Sequence, residues 1–177
     1  RLSLNCLRHY YLQSRLKNAR IIRVMPNIAC LVGEMSAGYS LGKFAKKQDS
    51  EILKQILDSA GKSVLVDERF LDVITVISGS APAFISYFLS AIISCGVNYG
   101  LNKEDATTFT KQTLLGTAKL LSEKNISPED LIMMVASKRG VTEAGINIFE
   151  AYGVKQIIGE AITKAIERSK EIGEEMK

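Results

Sequence analysis

The polar loop at residues 137–142, S-K-R-G-V-T, gathers two hydroxyls and two cations around Gly140, just ahead of a helical pattern. The first backbone N–H groups of a helix lack intrahelical acceptors, and the helix dipole is positive there. Such a loop therefore attracts an anion such as a carboxylate. A helix cap preceded by basic residues accounts for the same letters with no ligand at all. Other chemistry is harder to build. His9 is the single histidine, so any Ser-His-Asp or Cys-His arrangement and any histidine-based metal site would have to rest on it. Cys6, Cys30 and Cys95 are widely spaced and contain no C-x-x-C pair. They make neither a disulfide framework nor a zinc site; no metal is expected, and a reducing, cytoplasmic setting suits them. Neither G-x-G-x-x-G nor G-x-x-x-x-G-K-[ST] occurs, so the chain has no recognisable loop for nucleotide phosphates. The pairs Glu68/Asp72 and Glu174/Glu175 read as solvated helix faces rather than acid–base dyads.

The elements around that loop fall into two halves. Residues 19–25, A-R-I-I-R-V-M, are a short β-branched run ending at Pro26-Asn27, a strand followed by a turn. Residues 36–41 are a weaker strand. Residues 49–60 carry Ile52, Leu53, Ile56 and Leu57 at helical spacing, and residues 62–66, K-S-V-L-V, form another strand. Beyond Val66 the pattern is helical throughout: 67–77, 81–101, a helix capped by Asn102 running to Glu123, and a short one starting at Ser127-Pro128-Glu129-Asp130 and ending near Ser137. Ser127 is its cap, Pro128 opens its first turn, and two acids complement its dipole. Thr142 is expected to cap the next helix, to Gly153, and a last one starts at Val154.

The chain has 177 residues, 46% hydrophobic and 24% charged, which excludes extended disorder and leaves one domain or one and a half. Its net charge of +4 is unevenly spread. Residues 1–33 carry six of the 23 cations and no acid, so the rest, with 17 cations against all 19 acids, is slightly negative. Such a start reads as a basic arm, as a targeting peptide, or as an ordinary surface segment. The cations are not clustered into the block a nucleic-acid arm needs, so no nucleic-acid partner is expected.

Thirty consecutive residues, 73–102, carry no formal charge, enough to span a bilayer. S-G-S-A-P at 78–82 reads as a helix stop followed by a new start at Pro82. On the helix that follows, Ser86, Ser90, Ser94 and Asn98 make one polar stripe, with Phe84, Ile85, Phe88, Leu89, Ile92 and Ile93 over much of the rest. A helix so widely apolar is covered either by lipid or by protein. Its flanks lack the aromatic and basic interface pattern, which favours protein. A domain this small surrounds such a helix only with difficulty, so a second copy of the chain is the natural cover, and no membrane partner is expected.

Six blocks together carry a family resemblance. R-V-M-P-N (23–27), L-V-G-E (31–34), I-S-G-S-A-P-A-F (77–84), Q-T-L-L-G-T-A-K (112–119), S-K-R-G-V-T (137–142) and A-I-E-R-S-K-E-I (165–172) resemble pyrroline-5-carboxylate reductase in order and spacing, from about Ala19 to the end. The resemblance implies a mainly α chain: an all-helical dimerisation domain, residues 67–177, preceded by the last strands and helix of a Rossmann-type α/β domain, residues 1–66. It implies a homodimer, with assembly beyond the dimer left open, and hydride transfer from NADPH or NADH to the C=N carbon of 1-pyrroline-5-carboxylate, giving proline. Thr142 matches the family threonine whose hydroxyl reaches the ring nitrogen. Ser137, with Gly140 and Val141, matches the group that holds the substrate carboxylate. Asn27, Gly79 and Ser80 match positions on the nicotinamide side of the pocket.

The departures are equally specific. The family loop S-P-G-G has Lys138 and Arg139 in place of Pro and the first Gly. If that Gly is left-handed, Arg139 there costs about 1–2 kcal/mol, while it brings a cation towards the carboxylate. The family's M-P-N-T-P ends here in Ile28-Ala29, its G-S-G-P-A has Ala81, and its Lys-Asp pair is Ile132-Met133. The Gly-rich first strand-turn-helix is absent, and residues 1–18 match nothing that should stand there. The alternatives to a reductase are a catalytically silent dimerisation module and a membrane-anchored protein.

Overall fold

The computed structural model describes Leu16 and residues 18–175, a mainly helical chain with one small sheet. The acid-free start, with Cys6 and His9, lies mostly outside the described residues. Two compact units are present. One runs up to Ala83 and takes in the chain from Glu160; the other is Phe84–Gly159.

The first unit holds the sheet. Strand β1 (Ile22–Met25) pairs antiparallel with β2 (Met35–Leu41), placing Val24 opposite Tyr39. β2 then pairs in parallel with β3 (Gly61–Leu65) through the crossover helix α1 (Lys47–Asp58), so β2 is central. This strand–helix–strand unit is the α/β ending expected from the sequence. β2 is the most buried strand: Met35, Ala37, Tyr39 and Ser40 are all covered, and the Tyr39 hydroxyl lies 3.2 Å from Ser50 Oγ on α1. Two close approaches fix the packing. A Cβ at Gly38 would lie 2.6 Å from Ile74 Cδ1, and one at Gly61 would collide with the Met35 backbone. Asp58 ties the end of α1 to β3 by accepting from both Ser63 N–H (3.1 Å) and Ser63 Oγ (2.6 Å).

After a 3-10 turn at Glu68–Phe70, helix α2 (Leu71–Ile74) passes into a π-helical turn, Thr75–Ser80, and straight on into α3 (Ala81–Asn98). The expected stop at 78–82 is therefore corrected: the helix continues, and the Ala81 N–H bonds five residues back to the Val76 carbonyl. The Arg23 guanidinium lies 3.6 Å from Glu68 and 4.0 Å from Asp72, and Asp72 accepts from Ser169 Oγ at 3.2 Å, which ties the C-terminal helix into this unit.

In the second unit α3 ends at Asn98, earlier than its apolar run. Leu101 N–H bonds the Gly96 carbonyl and Gly100 N–H the Val97 carbonyl, with Gly100 at φ +98°, a glycine-type helix stop. Helix α4 (Lys103–Glu123) starts on Asn102, whose side chain accepts from Asp105 N–H at 2.8 Å. Helix α5 (Pro128–Val135) starts on Ser127, whose Oγ accepts from Asp130 N–H at 3.0 Å. Both caps stand where the sequence put them. Helix α6 (Val141–Ala151) follows, and the last helix, α7 (Val154–Glu175), belongs to the first unit from Glu160 onward. Phe88 and Phe149 meet edge to face at 6.2 Å.

The core is one-sided. Among the described residues of the second unit only Ala106 and Thr110 are buried, whereas Ile85, Phe88 and Ile92 on α3 and Phe109 on α4 stay exposed. Over its length the helical stretch Glu68–Asn98 is long and apolar enough to cross a membrane, and only 11% of its most apolar window is buried.

Candidate functional site

The chemistry-bearing residues form one group in each unit. The first gathers around Asn27. Pro26 ends β1 and leaves Asn27 in extended backbone ahead of a 3-10 turn, Ile28–Val32, which its side chain does not cap. Instead Asn27 Oδ1 accepts from Ser36 N–H at 3.1 Å, and Asn27 Nδ2 donates to the Ser78 carbonyl at 3.4 Å. Ser78 Oγ donates in turn to the Ser36 carbonyl at 2.9 Å. The cause is legible in Pro82. It has no N–H to offer the carbonyl four residues back, and that carbonyl is Ser78's, which takes an amide from 51 positions upstream.

Gly79 and Ser80 are on the same π turn. A Cβ at Gly79 would lie 2.7 Å from Met25 Cε, so glycine lets the turn settle on the end of β1. Ser80 Oγ donates to the Thr75 carbonyl at 3.3 Å across the turn. Asn27, Gly79 and Ser80 are thus brought together, and Ser36 and Ser78, which sequence reasoning missed, join them. Pro82 was the one available signal.

The second group is the turn before α6. Gly140 N–H bonds the Ser137 carbonyl at 2.9 Å, and a Cβ at Gly140 would fall on Ser137 Oγ. Arg139 sits at φ +61°, the left-handed region, which meets the condition set for it above. Its N–H donates to Glu143 Oε2 at 2.6 Å. Gly140, and not Thr142, is the N-cap of α6. The expected Thr142 cap is corrected: the helix begins one residue before Thr142, and Glu143 in its first turn reaches back past the N-cap to the Arg139 N–H. Thr142 therefore stands within the first turn and does not cap it. Gly140 has no side chain to cover the leading N–H groups of α6, and Val141 is 92% exposed. Ser137, Arg139, Gly140, Val141 and Thr142 are brought together on one turn, with Glu143 as the member that sequence reasoning missed.

The titratable groups displaced from their ordinary values belong to exposed helix pairs outside both groups. The Asp58 carboxylate, hydrogen-bonded by Lys54 and then by Ser63, is held below the usual range, and the Lys54 ammonium is raised by the same pair. Hydrogen bonding to Glu150 raises Lys155.

Comparison with known proteins gives these two groups a family. Residues 68–172 match the pyrroline-5-carboxylate reductase dimerisation family. The chain is 38% identical over 163 residues to a pyrroline-5-carboxylate reductase of Methanosarcina acetivorans, covering 92% of this chain and 60% of that protein. It is 35% identical over 161 residues to the Glycine max reductase, covering 91% and 59%. Among solved structures, the pyrroline carboxylate reductase of Plasmodium falciparum with NADP bound superposes with a TM-score of 0.87 at 30% identity, over 94% of this chain and 68% of that one. The chain therefore spans about three fifths of the length of the relatives it matches by sequence. A match running through the π turn, the serine-striped helix and the loop before α6 leaves one conclusion: the chain belongs to the pyrroline-5-carboxylate reductase family.

Proposed function

We propose that this chain carries the dimerisation and substrate-holding part of an NAD(P)H-dependent reductase that converts 1-pyrroline-5-carboxylate to L-proline in the cytoplasm. Family membership supports the reaction, and one observation supports the assignment of residues: the turn at 137–140 presents Ser137 and Thr142 beside the uncapped first N–H groups of α6. A carboxylate suits that end of a helix. Ser137 Oγ and the Gly140 and Val141 backbone hold it, Arg139 adds a cation, and the Thr142 hydroxyl hydrogen-bonds the ring nitrogen, supporting its change of charge. Asn27, Gly79 and Ser80 stand on the cofactor side.

The nicotinamide end of a dinucleotide finds polar and close-approach positions at this π turn, whereas its phosphates find no Gly-rich loop in the sequence. The bound cofactor supplies the hydride; the chain's own residues orient the imine and fix its carboxylate. The division of labour falls near Val66, with a dinucleotide-domain remnant before it and the dimerising helices after it, a boundary supported by a family match that starts at residue 68.

A homodimer is supported by the exposed apolar residues of α3 and α4, and cover by a second subunit suits them better than lipid because the same stretch lies inside the dimerisation match. The free, exposed Cys30 and Cys95 suit a reducing compartment. The second reading, a silent dimerisation module, draws on Arg139, left-handed where the family loop has a glycine. The deciding experiment is NADPH oxidation with 1-pyrroline-5-carboxylate, using the protein expressed from its natural reading frame. Turnover that falls about a hundredfold in Thr142→Val supports the reductase. A parent protein with no turnover establishes the silent module.

A further inference from the structure

Asn27 stands on the cofactor side of the proposed reductase, and both ends of its amide are already engaged within the chain. Oδ1 is taken by Ser36 N–H at 3.1 Å, and Nδ2 by the Ser78 carbonyl at 3.4 Å. The second contact answers a need created elsewhere in the chain. A helix that runs on through Pro82 leaves the Ser78 carbonyl without its α-helical donor, and a carbonyl so orphaned in a partly buried place costs about 1–3 kcal/mol unless it is paired. The first contact secures the leading end of β2, the central strand. Ser78 Oγ closes the triangle onto the Ser36 carbonyl at 2.9 Å.

The tie therefore joins the end of β1, the start of β2 and the π turn. On that turn, immediately after Ser78, stand Gly79 and Ser80. Gly79 is held so close to Met25 that a methyl group would lie 2.7 Å from Cε. Ser80 Oγ is turned back onto the Thr75 carbonyl at 3.3 Å. Any shift of Ser78 is passed to its two neighbours through the backbone.

We propose that Asn27 is a positioning residue, which fixes Gly79 and Ser80 through the Ser78 carbonyl and does not itself contact the cofactor. The proposal rests on the reductase reading for its kinetic consequence but not for its structural one, and the two are measured separately. Asn27→Asp keeps the acceptor for Ser36 N–H and replaces the donor facing Ser78 with a second oxygen. Asn27→Ser, the milder variant, shortens the side chain away from both. Amide hydrogen exchange with no nucleotide present reads the tie directly. Exchange of the N–H groups of residues 79–81 is expected to accelerate about tenfold or more in both variants, with Ser36 N–H accelerated in Asn27→Ser and near its parent rate in Asn27→Asp.

In steady-state turnover kcat is expected to fall about tenfold, with the NADPH dissociation constant changed by less than about twofold. Unchanged exchange in the nucleotide-free variants overturns the proposal. So does an NADPH affinity that falls by the same factor as kcat, the mark of a residue that touches the cofactor. If the parent shows no turnover, the reductase reading fails, and hydrogen exchange still decides the tie.

Discussion

The backbone N–H of Arg139 donates to the Glu143 carboxylate at 2.6 Å while Arg139 itself stands at φ +61°. The left-handed residue and the first-turn acid thus hold one another in place. A non-glycine residue at that φ costs about 1–2 kcal/mol, and the hydrogen bond to a charged acceptor offsets a similar amount.

Arg139→Gly is accordingly expected to raise stability by about 1 kcal/mol, and Glu143→Ala to lower it by about the same. Urea unfolding midpoints check both. The same glycine variant tests the cation: substrate KM should rise severalfold if the guanidinium assists the carboxylate, and an unchanged KM removes Arg139 from the substrate site.

Gly38 lies on the central strand against Ile74, with room for no further carbon. Gly38→Ala should cost about 1–3 kcal/mol, because the added carbon meets the β-branched Ile74 at two atoms, Cδ1 at 2.6 Å and Cγ2 at 3.0 Å, and that side chain is stiff at its first torsion. Gly79→Ala should cost less, since the atom in its way is the terminal methyl of a flexible methionine. Equal losses in thermal unfolding would contradict this ranking.

Light scattering should find a dimer at micromolar concentration. Ile85, Phe88 and Ile92 lie at i, i+3 and i+7 on α3 and are all about half exposed. Ile92→Glu is expected to weaken self-association by about tenfold or more. A parent that is monomeric at micromolar concentration would remove the case for shared burial.

The residues at hand include no Gly-rich loop for phosphates, so a protein limited to these 177 residues should bind NADPH weakly or not at all. Titration followed by nucleotide fluorescence decides it, with micromolar affinity as the contrary result.

Asp58 is held below its ordinary 3.8 by hydrogen bonding to Lys54 and then Ser63. A carboxyl group depressed in the folded state contributes stability that is present above its unfolded value and is lost as pH falls through the folded one. Carbon-detected NMR titration should place its midpoint under 3.8, and Asp58→Asn should flatten the stability profile below that pH while leaving its neutral region nearly level.

What could be foreseen in this chain was local. Asn102 and Ser127 cap helices with their own side chains three residues ahead, a relationship contained in four letters. Strand β1 announces itself by its β-branched run and by the turn at Pro26-Asn27, and β3 reads from K-S-V-L-V, whereas β2 has no β-branched residue and shows only weakly. Arg139 was legible as left-handed only through the glycine it replaces. The π turn was not foreseen, because Pro82 looks like a stop until the amide of Asn27, far away in sequence, accepts the duty of the missing donor. Thr142 was mistaken for a cap because Glu143 and a bare Gly140 start the helix without one. The antiparallel pairing of β1 with β2 depends on tertiary register, which alternation alone does not fix.

The π turn also stores one residue of slack along the rod it interrupts. Each residue advances an α-helix by about 100°, and a π turn takes up one residue beyond regular winding, so deleting one residue between Thr75 and Ser80 would restore the α-helix and leave later side chains facing nearly where they do. The same deletion in α3 just before Ser86 would instead turn the hydroxyl-bearing row from Ser86 to Asn98 by that angle, to where greasy side chains had been. At this turn the tally of residues carries information that their chemical types do not.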